Sequence, residues 1–119
     1  MQTFHGIAIY KISESGNVLS ATYTNTGLLK GHRYDIVHEV ARKKEFNDKG
    51  IVGVYDVKYI QEVPDPNILN ECILEITRHN NDIETVYNFI WINDNDDTLW
   101  IGIGLRIEKD FIAVSYIKS

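Results

Sequence analysis

The sequence predicts an all-β protein, an eight-stranded antiparallel up-and-down β-barrel, and three observations carry that expectation. Apolar and polar residues alternate with a period of two along most of the chain, interrupted by clusters of Gly, Asn, Asp, Ser and Pro that tolerate turn geometry. Aromatic residues make up 11% of the chain and Val and Ile are frequent, a composition suited to pleated, half-buried surfaces. The two ends also echo each other. Gly6-Ile7-Ala8-Ile9 matches Gly102-Ile103-Gly104-Leu105, and Val18-Leu19-Ser20-Ala21-Thr22-Tyr23 matches Phe111-Ile112-Ala113-Val114-Ser115-Tyr116. Hairpins of shared pattern at opposite ends of an antiparallel chain are expected to lie side by side, the last strand pairing with the first and closing the sheet.

At 119 residues the chain is one domain, spanning 1–119, and long enough to bury a core without covalent staples. The strand candidates follow in order. Phe4 to Ile12 and Val18 to Thr24 flank the turn cluster Ser13-Glu14-Ser15-Gly16-Asn17. His32 to Arg42 follows Asn25-Thr26-Gly27 and alternates His32, Tyr34, Ile36, His38 and Val40 against Arg33, Asp35, Val37 and Glu39. Ile36, Val37, Val40 and Ala41 also fit one helical face, so a helix at about 33–45 with seven strands is the alternative. Ile51 to Ile60, Glu71 to Arg78, Glu84 to Asn93, Leu99 to Ile107 and Phe111 to Ile117 complete the set. The clusters that bound them are Asn47 to Gly50, Pro64 to Asn67, His79 to Asp82, Asn93 to Asp97 and Glu108 to Asp110.

Side-chain parity separates the faces, because successive residues of a strand point to opposite sides. In the fourth candidate Gly53, Tyr55, Val57 and Tyr59 oppose Asp56 and Lys58, which sends the tyrosines inward. Glu71, Glu75 and Thr77 send Cys72, Leu74 and Ile76 inward by the same logic. The sixth and seventh are apolar on both faces. Tyr87, Phe89 and Trp91 stand against Val86, Asn88, Ile90 and Ile92, and Trp100, Gly102, Gly104 and Arg106 against Ile101, Ile103, Leu105 and Ile107. The expectation is an aromatic interior with space left by Gly6, Ala8, Gly53, Gly102 and Gly104, and an aliphatic patch outside. The alternative turns the aliphatic rows inward and fills the lumen.

With eight short strands in succession, Gly53-Val54-Tyr55, and a terminal pair built as Gly-Ile-Gly-Leu then Phe-Ile-Ala-Val-Ser-Tyr, the chain resembles the calycin group of lipocalin-like and avidin-like barrels. The likeness is one of pattern. Lipocalins usually open on Gly-x-Trp, where this chain has Gly6-Ile7-Ala8, and Trp100 and Arg106, which resemble the pair that closes one end of such barrels, both lie on one strand. The resemblance implies a barrel and an internal ligand.

A formal charge of −5 and a single short basic run, Arg42-Lys43-Lys44, argue against nucleic acid as a partner. Cys72 is the sole cysteine, so no intrachain disulfide forms, and a reducing, cytoplasmic location is expected. No stretch approaches the length of a membrane-spanning helix, and the first residues lack the pattern of an export signal, although one trimmed from the chain would leave no trace.

No serine sits in a Gly-x-Ser-x-Gly elbow, and no carboxylate pair is placed by spacing, so catalysis is not expected. His32 and His38 are too far apart on a strand to share a metal, and Asn93-Asp94-Asn95-Asp96-Asp97 lacks the glycine and distal glutamate of a calcium loop; no metal or other cofactor is expected. Arg106, sharing the inward face with Trp100, is the strongest single candidate, since a guanidinium among apolar groups calls for a carboxylate, a carbonyl or a ligand anion. Together with Tyr55, Tyr59, Tyr87 and Trp91, and with Tyr10 near them, these residues are expected to line a cavity for a small apolar or aromatic ligand. The second function the sequence supports is assembly, with Ile7, Ile9, Ile101, Ile103 and Leu105 forming the face of a homodimer.

Overall fold

A computed structural model describes residues 4–26, 37–60, 69–80 and 83–119. Eight strands run β1 (His5–Ser13), β2 (Val18–Asn25), β3 (Val37–Lys43), β4 (Gly53–Ile60), β5 (Leu69–Asn80), β6 (Ile83–Ile92), β7 (Thr98–Glu108) and β8 (Phe111–Lys118). Each pairs antiparallel with the next, and β8 returns to β1, so the sheet closes with no free edge. Gly6 lies opposite Tyr116 and Ala8 opposite Val114, which is the side-by-side placement that the echo between the chain ends predicts. The segment proposed as strand or helix is strand from Val37 onward; its part over 32–36 lies outside the described residues.

The aromatic face is the interior. Tyr10, Tyr55, Tyr87, Phe89, Trp91 and Tyr116 are buried with Leu19, Val57, Leu74, Ile76, Ile112 and Val114, while Ile7, Ile9, Ile101, Ile103, Leu105 and Ile107 are exposed. One expectation needs correction: the glycines leave little room. A Cβ on Gly6 would stand 2.0 Å from the Tyr116 ring, one on Gly104 2.5 Å from Phe89, and one on Gly102 3.0 Å from Tyr116 Cβ. An eight-stranded barrel is just wide enough for its own side chains, so each ring that crosses the lumen needs a small residue beneath it. The register supplies this: Phe89, Gly102, Tyr116 and Gly6 follow one another across β6, β7, β8 and β1. Tyr87, Gly104, Val114 and Ala8 repeat the pattern one step along.

The two ends of the barrel differ. At one, the β1–β2 and β3–β4 connections interlock. Asn17, buried, donates through Nδ2 to the carbonyls of Glu14 (2.7 Å) and Asn47 (2.8 Å) and accepts from the Asn47 amide through Oδ1 (2.8 Å). The Tyr55 hydroxyl lies 2.7 Å from both the Gly16 and Ile51 carbonyls, sharing its proton between them. Gly16, at φ 93°, lets the Gly50 carbonyl approach to where a side chain would stand, so no other residue fits there. At the other end β2, β4 and β6 hand over to their next strands, and the β6–β7 turn is held by Asn93, whose Oδ1 accepts from the amides of Asn95 (2.9 Å) and Asp97 (3.0 Å).

Because Gly6 is filled by a ring and not by backbone strain, Gly6→Val should destabilise the protein through overpacking, by roughly 1–3 kcal/mol. Urea unfolding of the variant measures it, and Gly6→Val with Tyr116→Ala should recover much of the loss.

Candidate functional site

The charged groups turned into the barrel come from β3. Val37, Glu39, Ala41 and Lys43 face inward and His38, Val40 and Arg42 outward. Lys43 belongs to the interlocked end: its ammonium donates to Asn47 Oδ1 (3.0 Å) and to the Gly50 carbonyl, with the Tyr55 ring 5.9 Å away, and burial lowers its pKa.

Glu39 lies nearer the opposite end and has no such satisfaction. Its side chain is 8% exposed, and among the described residues no cation pairs with it. The Tyr10 hydroxyl donates to Glu39 Oε2. That contact follows from register, because Tyr10, Ala21 and Glu39 are direct neighbours across β1, β2 and β3, and the small Ala21 between them lets the phenol reach over. The Trp91 indole N–H is buried without a hydrogen-bond partner, close enough to Glu39 that it favours the carboxylate.

Burial dominates the electrostatics and pushes the Glu39 pKa up to about 7, against the pull of Tyr10 and Trp91. Burial likewise raises Tyr59, Cys72 and Tyr116 to about 12, with the Glu39 charge adding to each, and lifts Tyr10 well above its ordinary value. Glu39 is therefore the group of this cluster that changes charge near neutral pH. Around it the rings form a connected series: Tyr10 on Phe89 (5.5 Å between centroids), Phe89 on Trp91 (5.7 Å), Trp91 on Tyr116 (5.6 Å) and Tyr116 on Phe4 (6.1 Å). Tyr59 meets Trp100 edge to face at 5.8 Å.

The sequence-derived site residues are divided between the two ends. Trp91, Tyr59 and Trp100 lie at the Glu39 end, while Tyr55 is tied into the interlocked end. Tyr87 is buried opposite Gly104. Arg106 is not beside Trp100. It donates through Nε (3.1 Å) and Nη2 (2.6 Å) to the Lys109 carbonyl at the β7–β8 turn and lines a cleft of about 250 Å³ with Ile12, Gly16, Ile51 and Asp110. Glu39 and Lys43 were not singled out by the sequence, since a polar residue on a mixed strand ordinarily marks the wet face. The available signal was that Glu39 shares parity with Val37 and Ala41.

Among the described residues no cluster of His, Cys, Asp and Glu could hold a metal ion, and no helix is long and apolar enough to cross a membrane. No known protein family, curated protein or solved structure matches the chain.

A carboxyl whose pKa is about 7 folded and 4.5 unfolded binds its proton more tightly in the folded state, so ionising it costs stability. Stability should therefore fall as pH rises from about 4.5 to 7 and stay reduced above, by roughly 3 kcal/mol for this group. Glu39→Gln should remove that slope. Urea midpoints of both proteins at pH 5 and pH 8 measure the difference, and equal slopes would mean that Glu39 titrates as an ordinary surface acid.

Proposed function

We propose that this protein binds a small apolar or aromatic molecule at the Glu39 end of the barrel, without catalysis, in the manner of calycin-like carriers. The observation that carries this reading is a carboxyl buried among rings with only a phenol and an indole N–H as polar neighbours and, among the described residues, no counter-ion. A core selected for stability alone gains by replacing such groups with apolar ones of similar shape. Retaining them makes sense where a ligand supplies the missing partner. Tyr59, Trp91 and Trp100 remain in this site from the sequence-based set, Tyr10, Glu39 and Tyr116 join it, and Tyr55, Tyr87 and Arg106 serve the structure elsewhere. A single buried cysteine, Cys72, suits a reducing, cytoplasmic setting.

The test is tryptophan fluorescence with an environment-sensitive apolar dye. Saturable binding should shift the tryptophan emission and weaken at least about tenfold in Trp91→Ala and Trp100→Ala while Arg106→Ala leaves it unchanged. Dye binding lost only in Arg106→Ala would move the site to the cleft at the other end.

A second reading rests on the outer face. Ile7, Ile9, Ile101, Ile103, Leu105, Ile107 and Ile117 are all 39–64% exposed and lie on three adjacent strands, where β8 contributes the small Ala113 and Ser115 between the ridges of β1 and β7. A contiguous apolar face of this kind exceeds the scattered apolar residues of an ordinary monomer surface and suits a homodimer. Sedimentation at increasing concentration should show wild type self-associating and Ile103→Lys monomeric; a wild-type monomer throughout counts against assembly.

A further inference from the structure

We infer that the ligand of the Glu39 site is an organic ammonium ion, bound in exchange for the Glu39 proton. The inference rests on the binding reading above and adds the charge of the ligand. Three observations favour a cation over a neutral or anionic compound.

The first is the state of Glu39 itself. Tyr10 occupies Oε2, and among the described residues the carboxyl meets neutral donors, Tyr10 and Trp91, and no cation. An ammonium group beside it supplies that compensation in the same low-dielectric setting.

The second is the surroundings. Tyr59, Tyr116 and Trp91 lie close enough to the carboxyl to interact with it electrostatically, Trp100 packs edge to face on Tyr59, and aromatic rings attract cations, most strongly tryptophan.

The third is the rim. Asp94, Asp96 and Asp97 sit in the turn that joins Trp91's strand to Trp100's, with Lys118 the cation set opposite Trp100 in the register. Acidic groups concentrate cations near them and repel anions.

Among the described residues, the titratable groups facing Glu39 are Tyr10 from β1, Tyr59 from β4, Cys72 from β5 and Tyr116 from β8, all held neutral through neutral pH by raised pKa values. His38, adjacent on β3, faces outward. Only Glu39 among these changes charge as pH moves from 5.5 to 8.5, so a permanently charged ligand reads its ionisation directly.

Benzyltrimethylammonium and its neutral isostere neopentylbenzene are suitable probes, because the quaternary nitrogen cannot titrate. Calorimetric titration at pH 8.5 should show the cation binding at least about tenfold more tightly than the isostere. That advantage should vanish at pH 5.5 and in Glu39→Gln, and binding near pH 7 should release protons, seen as a dependence of the heat on buffer ionisation enthalpy. Asp94→Asn with Asp96→Asn and Asp97→Asn should weaken cation binding in a salt-dependent way while leaving the isostere unaffected. Equal binding of cation and isostere, or binding that strengthens as pH falls, overturns the ammonium assignment and leaves the binding site standing. Failure of both probes and of the apolar dye at ~1 mM overturns the site as well.

Discussion

The fixed inner width of a closed eight-stranded sheet is the constraint on which the rest of this structure depends. Once β8 pairs with β1 there is no free edge through which a large side chain can escape, and the lumen must be filled by the chain's own residues. Six buried aromatics fill it, and they fit because the neighbouring strand brings a glycine or alanine under the ring: Gly104 under Phe89, Gly6 under Tyr116, Ala21 between Tyr10 and Glu39. None of these glycines has positive φ: Gly6 and Gly104 admit the close approach of a ring, and Gly102 that of the Ser115 carbonyl. The same register that packs the core thus also brings a phenol to a carboxyl.

That coupling explains why the two ends of the barrel have different characters. The end holding Lys43 satisfies each buried polar group from loops that interlock, with Asn17 and Asn47 exchanging hydrogen bonds and the Tyr55 hydroxyl tethered to two carbonyls. It resists opening because separating its loops would strand several buried donors at once. At the other end the Glu39 carboxyl is met by the Tyr10 phenol and the nearby Trp91 indole, with no cation beside it among the described residues. Conformational or chemical change is therefore cheapest there.

Much of this was legible in the sequence. Strand positions followed from period-two alternation and the turn clusters, and the inward face of β4 and β5 followed from where Asp56, Lys58, Glu71 and Glu75 could not go. Barrel closure followed from the echo between the first and last hairpins. The position of Glu39 did not follow, for a physical reason. β3 carries polar residues on both faces, His38 and Arg42 outside and Glu39 and Lys43 inside, so alternation gives no net direction. Its parity is set by pairing with β2 and β4, and the Tyr10 contact is set by a register running through three strands. Parity likewise gives the face of a residue but not its height along the barrel, and six residues separate Trp100 from Arg106, which is held at the β7–β8 turn.

The outer face follows from the inner one. On β7 the small and aromatic residues needed inside leave every alternate position free of that demand, and those positions are Ile101, Ile103, Leu105 and Ile107, all exposed. Solubility alone would favour polar residues there, as β3 and β4 have in His38, Arg42, Asp56 and Lys58. The contrast between the two sides of one barrel is not a requirement of closure, because both sides close by the same antiparallel ladders. Lumen and outer wall therefore answer to different constraints: ring packing around a buried carboxyl within, and, at the exposed positions of β7, β8 and β1, no demand from the packing of the barrel itself.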